Sequence, residues 1–190
     1  MRVDRRLNLV IPIEEGDSSL YVHAVPLSRE VFERFFLVLS KTFTFIYTQG
    51  LNVVSGPRVA ALTLRKIAET DGVWEGETGV ERGLMGEIKR LTNVICMTDQ
   101  GWQPIPFEMA VKQGKLDSEI ASEVENVIVF FMVASAVHLR TELPEIYNLL
   151  GGLCHALVTS SNCTEYAASL PTSMPAASSG AKATPSSIPS

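Results

Sequence analysis

Three histidines and three cysteines are the residues of this 190-residue chain with the widest chemical repertoire. His23 sits in a strand-like stretch, His138 near the end of a long apolar segment, and His155 directly after Cys154; Cys96 and Cys163 stand apart. These spacings contain no Cys-x-x-Cys and no His-x-x-x-His pair, and two adjacent residues do not easily reach one metal ion together. The reading is therefore no metal site and no cofactor. Glu119 and Glu123 are four apart and share a helix face, but no third ligand or base accompanies them at matching spacing. The glycines between Gly72 and Gly86 lack the Gly-Lys-Ser/Thr ending of a phosphate loop and follow no strong strand. No nucleophile, base and orienting group can be assembled, so the chain is not expected to be an enzyme. Asn162-Cys163-Thr164 matches a glycosylation acceptor, a pattern with little meaning without a signal peptide; the opening residues carry charges at positions 4, 5 and 6 and no apolar run of signal length.

Composition narrows the partners. A formal net charge of -5 opposes nucleic acid, whose phosphates call for concentrated Lys and Arg; Arg2, Arg5 and Arg6 form the only dense basic spot. An odd, sparse cysteine set describes no disulfide framework and fits a reducing compartment. Two apolar runs, Phe35 to Tyr47 and Val127 to Val137, fall short of the roughly 20 residues of a membrane span. Both read as helices of a core rather than as membrane segments.

The elements that must position any site follow from hydrophobic period. Leu7, Leu9, Ile11 and Ile13, then Leu20, Val22 and Ala24, alternate around a polar turn that contains Gly16, which predicts a β-hairpin. Pro12 places the first strand near a sheet edge. Ser28 is an N-cap, and Phe32, Phe35, Phe36, Leu39 and Phe43 follow at helical steps, so a Phe-rich helix covers 29–47 and Gly50 stops it. Gly56-Pro57 opens the next helix, which Asp71-Gly72 ends. Residues 72–79 read as loop and 80–95 as helix, from the Leu84, Ile88, Leu91, Ile95 stripe. Residues 102–107 read as extended, 106–113 as a short helix, 118–141 as the longest helix, capped by Asp117, and 145–150 as a last short one ending at Gly151-Gly152. The 118–141 helix is apolar all round from Val127, which puts it at the centre of the fold or against a partner subunit.

Composition then shifts. Residues 159–190 are rich in Ser, Thr, Ala and Pro, with Glu165 and Lys182 as their only charges. Such a segment buries too little apolar surface to offset the entropy of ordering it. The predicted fold is α+β and mainly α-helical: a core domain over 1–158, with its hairpin packed on a small helical core, and a disordered tail over 159–190. The aromatic stripe and the 127–137 run together carry more apolar surface than one small bundle needs. Phe32, Phe35, Phe36, Phe43 and Phe131 in the core, with Tyr166, Leu170 and Met174 in the tail, are the candidate protein-binding residues.

In the order of its parts the chain resembles the tail assembly chaperones of long-tailed double-stranded DNA bacteriophages. The likeness rests on Val25-Pro26-Leu27-Ser28 leading into the Phe-rich helix, on Gly56-Pro57 opening a helix after it, and on the passage Ser160-Ser161-Asn162-Cys163-Thr164-Glu165-Tyr166-Ala167-Ala168-Ser169-Leu170-Pro171-Thr172-Ser173 before a Ser/Pro-rich trailer. The glycine-rich middle and the weakly charged C-terminus depart from the pattern. The resemblance implies a non-virion protein of the host cell cytoplasm that binds the long helical tape measure protein, keeps it soluble and helps recruit tail tube subunits. It also implies that some members are made in two forms by a ribosomal frameshift. Self-association into a homo-oligomer fits the surplus apolar surface equally well. A virion structural protein of the tail or head–tail junction and a small membrane-associated protein are the alternative readings.

Overall fold

The structure, a computed structural model, describes residues 7–15, 18–137 and 143–171. The architecture is α+β. Five antiparallel strands, β1 (Asn8–Glu15), β2 (Ser18–Ala24), β3 (Thr92–Thr98), β4 (Gly101–Pro106) and β5 (Leu157–Thr159), lie in the order β4-β3-β2-β1-β5. The helices are α1 (Arg29–Thr48), α2 (Asn52–Thr70), α3 (Gly86–Arg90), α4 (Phe107–Lys112), α5 (Ser118–Val137), α6 (Leu143–Cys154) and α7 (Cys163–Ser169), with a π-helical turn over Val80–Met85.

The hairpin packs on the helical core as expected, and it forms two strands of a larger sheet. Its alternation divides the faces. Leu9, Ile11 and Ile13 of β1, Leu20, Val22 and Ala24 of β2, and Val94 and Cys96 of β3 join the main core with the helices. The intervening Asn8, Val10, Tyr21, His23 and Ile95 belong to the second face. β5 pairs only Asn8, Leu9 and Val10, so Pro12 lies beyond its reach, and the strand interrupted by proline is next to the edge.

α5 fills the centre. Every residue from Ile128 to Ala134 is buried. Asn126, also buried, accepts from the Ala61 N–H and donates to the Ser122 carbonyl, both at 2.9 Å, and so ties α5 to α2. α2 comes close because residue 56 is glycine: a Cβ there would stand 2.7 Å from Phe130 and 2.9 Å from Ile46. Among the described helices α5 is the one long and apolar enough to cross a membrane, and the core of the protein accounts for that apolar character.

Four sequence expectations need correction. The 80–95 segment is not one helix: it is a π-helical turn and α3, then β3 from Thr92. The helical stripe of Leu84 and Ile88 ends where Thr92, Val94 and Ile95, β-branched residues with strong strand preference, begin pairing with β2. α2 starts at Asn52, with Pro57 inside it. Proline offers no N–H and crowds the carbonyl four residues back, and the turn opens so that the Gly56 N–H reaches Leu51, five residues back, at 3.2 Å. α6 runs past Gly151-Gly152 to Cys154, and His155, at φ 51, ends it in the left-handed region. Structure also continues beyond residue 159, through α7 to Pro171. The remainder of the expected tail, 172–190, and the basic group at Arg2, Arg5 and Arg6 lie outside the described residues.

The remaining expectations agree with the fold. Ser28 caps α1 by accepting from the Val31 N–H, Asp117 caps α5 by accepting from the Glu119 N–H at 2.8 Å, and α4 and β4 fall where proline spacing put them.

Phe131, fully buried against the Tyr147 ring at 5.9 Å, is core and not an external binding residue. Phe131→Ala should cost about 3–5 kcal/mol in denaturant unfolding. Phe36→Ala, on an exposed ring, should cost less than about 1 kcal/mol. Equal costs would contradict this assignment of inside and outside.

Candidate functional site

Two surfaces gather the residues singled out by the sequence. The first is an open apolar groove beside α1 and α2. The face of α1 toward the core carries Phe35, Val38, Leu39, Thr42 and Ile46. Thr42 is tolerated there because its hydroxyl donates to the Val38 carbonyl at 2.8 Å. Apolar residues left over on α1 turn outward: Phe36 is 53% exposed, Leu37 64% and Phe45 44%, and Leu62 of α2 is 64% exposed. Leu37, Thr44, Phe45 and Thr48 from α1 and Leu62 and Ile67 from α2 line a groove of about 790 Å³. A second hollow of about 490 Å³ continues it past Arg34, Phe35, Val73 and Val80, sharing Leu37, Lys41 and Asp71. The Lys41–Asp71 ion pair, 2.6 Å long, stands where the two meet.

The sequence stripe is split by this geometry. Phe35 is buried, with the Arg34 guanidinium 5.5 Å above its ring. A Cβ on Gly83 would come within 2.7 Å of that ring, so the glycine-rich middle packs closely on α1 and is not a loose loop at that point. Phe32 and Phe43 are partly buried against the core. Phe32 makes an edge-on contact with Phe36, and the Phe43 ring lies 4.3 Å from that of Tyr47. Only Phe36 of the named phenylalanines is open to solvent. Leu37, Phe45 and Leu62 were not singled out from sequence. Positions 37, 41, 44 and 48 lie opposite the core face of α1, but they read Leu, Lys, Thr and Thr, and Phe45 falls between the two sides, so no apolar stripe in the sequence marks the groove.

The second surface is the sheet face away from the helices, covered by residues 160–171. This strap is fastened at both ends. At its start the Ser161 carbonyl accepts from Asn8 Nδ2 at 2.9 Å and from His23 Nε2 at 3.0 Å. At its end the Pro171 carbonyl accepts from Trp102 Nε1 at 2.9 Å. Between them α7 opens with a reciprocal cap: Asn162 accepts from the Glu165 N–H, and Glu165 accepts from the Asn162 N–H. The asparagine of the glycosylation-like pattern is thus engaged in a helix cap. Tyr166 lies 5.9 Å from Tyr21, whose ring is 5.5 Å from Trp102. Leu170 is half-buried at the helix end, and Met174 lies outside the described residues.

The chemistry of these surfaces is that of contact. Burial pushes the Cys163 thiol up to about 11, far from a ready nucleophile. Cys96 is buried in β3. Glu119 and Glu123 are exposed on α5. Lys89 lies between Glu108 at 3.8 Å and Glu125 at 4.0 Å. Among the described residues no three His, Cys, Asp or Glu side chains gather at metal-binding distance.

His23 is expected to make the strap sensitive to pH. A carbonyl only accepts, so Nε2 carries the proton, while Nδ1 is buried without a partner. Burial lowers the pKa of His23 from its ordinary value, outweighing the opposing hydrogen bond to Ser161. Val10 and Asn93 flank it in the sheet, and the phenolic rings of Tyr21 and Tyr166 lie on its own face. An open strap frees the imidazole to take up a proton near its unperturbed value of about 6.5. The open form then binds more protons than the closed form, so closure is fully stable above that value and weakens as pH falls through the lowered one. Amide exchange across 160–171 should accelerate relative to the core between about pH 7.5 and 5.5, and in a Trp74→Phe background the Trp102 emission should change in parallel. His23→Gln, which keeps a donor but does not titrate, should flatten the response. A pH dependence unchanged in that variant would exclude His23 as its source.

Set against protein-family models, curated proteins and solved structures, the chain has no match in any of the three.

Proposed function

We propose that this chain is a tail assembly chaperone of the kind made by long-tailed double-stranded DNA bacteriophages. In this reading it binds apolar helical stretches of the tape measure protein and keeps them soluble until tail tube subunits assemble around them. The observation that carries the proposal is the row formed by Leu37, Phe45 and Leu62. These large apolar side chains stand exposed along one groove on a protein whose central helix is otherwise sealed. A surface of this kind holds a partner mainly by withdrawing apolar area from water, a force with no directional demand, so successive stretches of a long helical client can use one site. The sequence resemblance supplies the identity of the client. In the same reading tail tube subunits engage the C-terminal segment, where Tyr166 and Leu170 make small, replaceable contacts. Such contacts suit a partner that must later let go.

Co-expression with a tape measure protein encoded beside this chain tests the proposal. The expected result is a soluble complex that survives affinity capture and size-exclusion chromatography, with this chain missing from purified particles by mass spectrometry. Phe45→Asp with Leu62→Asp should leave the unfolding midpoint nearly unchanged, since both positions are exposed, while sending the tape measure protein to the insoluble fraction. A tape measure protein equally soluble without this chain, or this chain found as a stoichiometric part of the particle, would refute the proposal.

A further inference from the structure

The groove has a charge pattern of its own. The formal net charge of the chain is -5, yet the charged residues along the joined groove are Arg34, Lys41 and Lys66 against the single carboxylate of Asp71. Asp71 is already paired with Lys41, while Arg34 and Lys66 line the groove and are exposed. From Arg34 to Thr48 the lining follows α1 for about 21 Å, the length of about four helical turns.

From this we infer that the groove takes an amphipathic helix of about four turns whose apolar stripe is flanked by Asp or Glu. The inference rests on the proposed function for the use of the site and adds the chemistry of what enters it. Apolar contact with Leu37, Phe45 and Leu62 supplies the attraction. Arg34 and Lys66, neither of them in an ion pair among the described residues, choose among apolar helices, because a basic flank meets them with like charge while an acidic flank meets them with opposite charge. The same pattern disfavours a second copy of this chain. A two-fold interface over this face sets the same patch against itself and offers Arg34 and Lys66 no carboxylate of the lining beyond Asp71, which is already paired with Lys41.

Two synthetic peptides of about 15 residues test this directly. Both carry leucines at alternating three- and four-residue steps; one has Glu beside the stripe and the other Lys. Titration calorimetry should show the Glu peptide binding roughly tenfold or more tightly at low salt, with the gap narrowing as salt rises. The Arg34→Glu, Lys66→Glu double variant, changed only at exposed positions, should reverse the order. Equal affinities, a preference unchanged in the double variant, or no binding of either peptide overturns the inference. So does a chain that sediments as a dimer and becomes a monomer on Leu62→Asp, since the face is then covered by a second copy. Capture of the tape measure protein without a peptide charge preference overturns this inference and leaves the proposed function standing. A clear preference without capture does the reverse.

Discussion

Withdrawal of the second half of α5 from water on every side, from Ile128 to Ala134, is the constraint from which the other packing follows. A helix with one apolar stripe needs a single neighbour, but seven consecutive buried residues, Ile128 to Ala134, need a complete enclosure. α1 and α2 supply part of it and the sheet and α6 the rest. The enclosure is tight enough to demand glycine at residue 56, where α2 meets Phe130. A helix hidden this thoroughly has no exposed edge to announce its register. Asn126 provides one polar fixture: its amide reaches the Ala61 N–H across the interface, and any sliding of α5 along α2 breaks that bond and strands a buried amide.

That enclosure decides where binding can occur. Sequence reasoning counted α5 and the Phe-rich helix together as surplus apolar surface, and the two turn out to be opposite cases. α5 spends its whole apolar run from Ile128 to Ala134 inside. α1 must bury one face on α5 and has apolar residues to spare, so Leu37 and Phe45 remain outside beside Leu62. The surplus was legible in the composition of the helix, but its location was not. It depends on which apolar stripe faces the core, the phenylalanines at 32, 36 and 43 or positions 35, 38, 42 and 46, and both have helical spacing. The buried stripe contains a threonine, which a hydrophobicity pattern ranks below the phenylalanines. Only the hydrogen bond from Thr42 to Val38 shows why it is acceptable inside.

The same distinction between local and tertiary causes runs through the fold. The hairpin, the Ser28 cap, the Asp117 cap and the proline-rich β4 were legible because each is dictated by neighbouring residues. β3 and α7 were not. Thr92–Thr98 becomes a strand because β2 offers it a partner and β4 another. α7, of seven residues, is far too short to stand alone in water, and its reciprocal cap removes only part of the cost. What holds it is the second sheet face, where residues distant in sequence converge: Asn8 and His23 on one carbonyl and Trp102 on another. No pattern within 160–171 reveals those donors.

The two surfaces differ in how their contacts are made, and the difference bears on exchange. The groove is apolar, open and built on two long helices, so a helix entering it exchanges water for side chains and needs no matching hydrogen bonds. The strap is fixed by a few directional bonds to backbone carbonyls, each of which water can replace once the segment lifts. Lifting also exposes His23 and the rings of Tyr21 and Trp102, a face that is aromatic and able to donate hydrogen bonds rather than purely greasy. A segment leaving this face gives up the ring contacts of Tyr166 and the burial of Ala167 along with its hydrogen bonds, and every polar group it uncovers gains water. The groove therefore suits a contact made by apolar burial and the strap one made by directional bonds. In the proposed function these two surfaces, on opposite sides of one sheet, have separate tasks: one side holds a client while the other changes state.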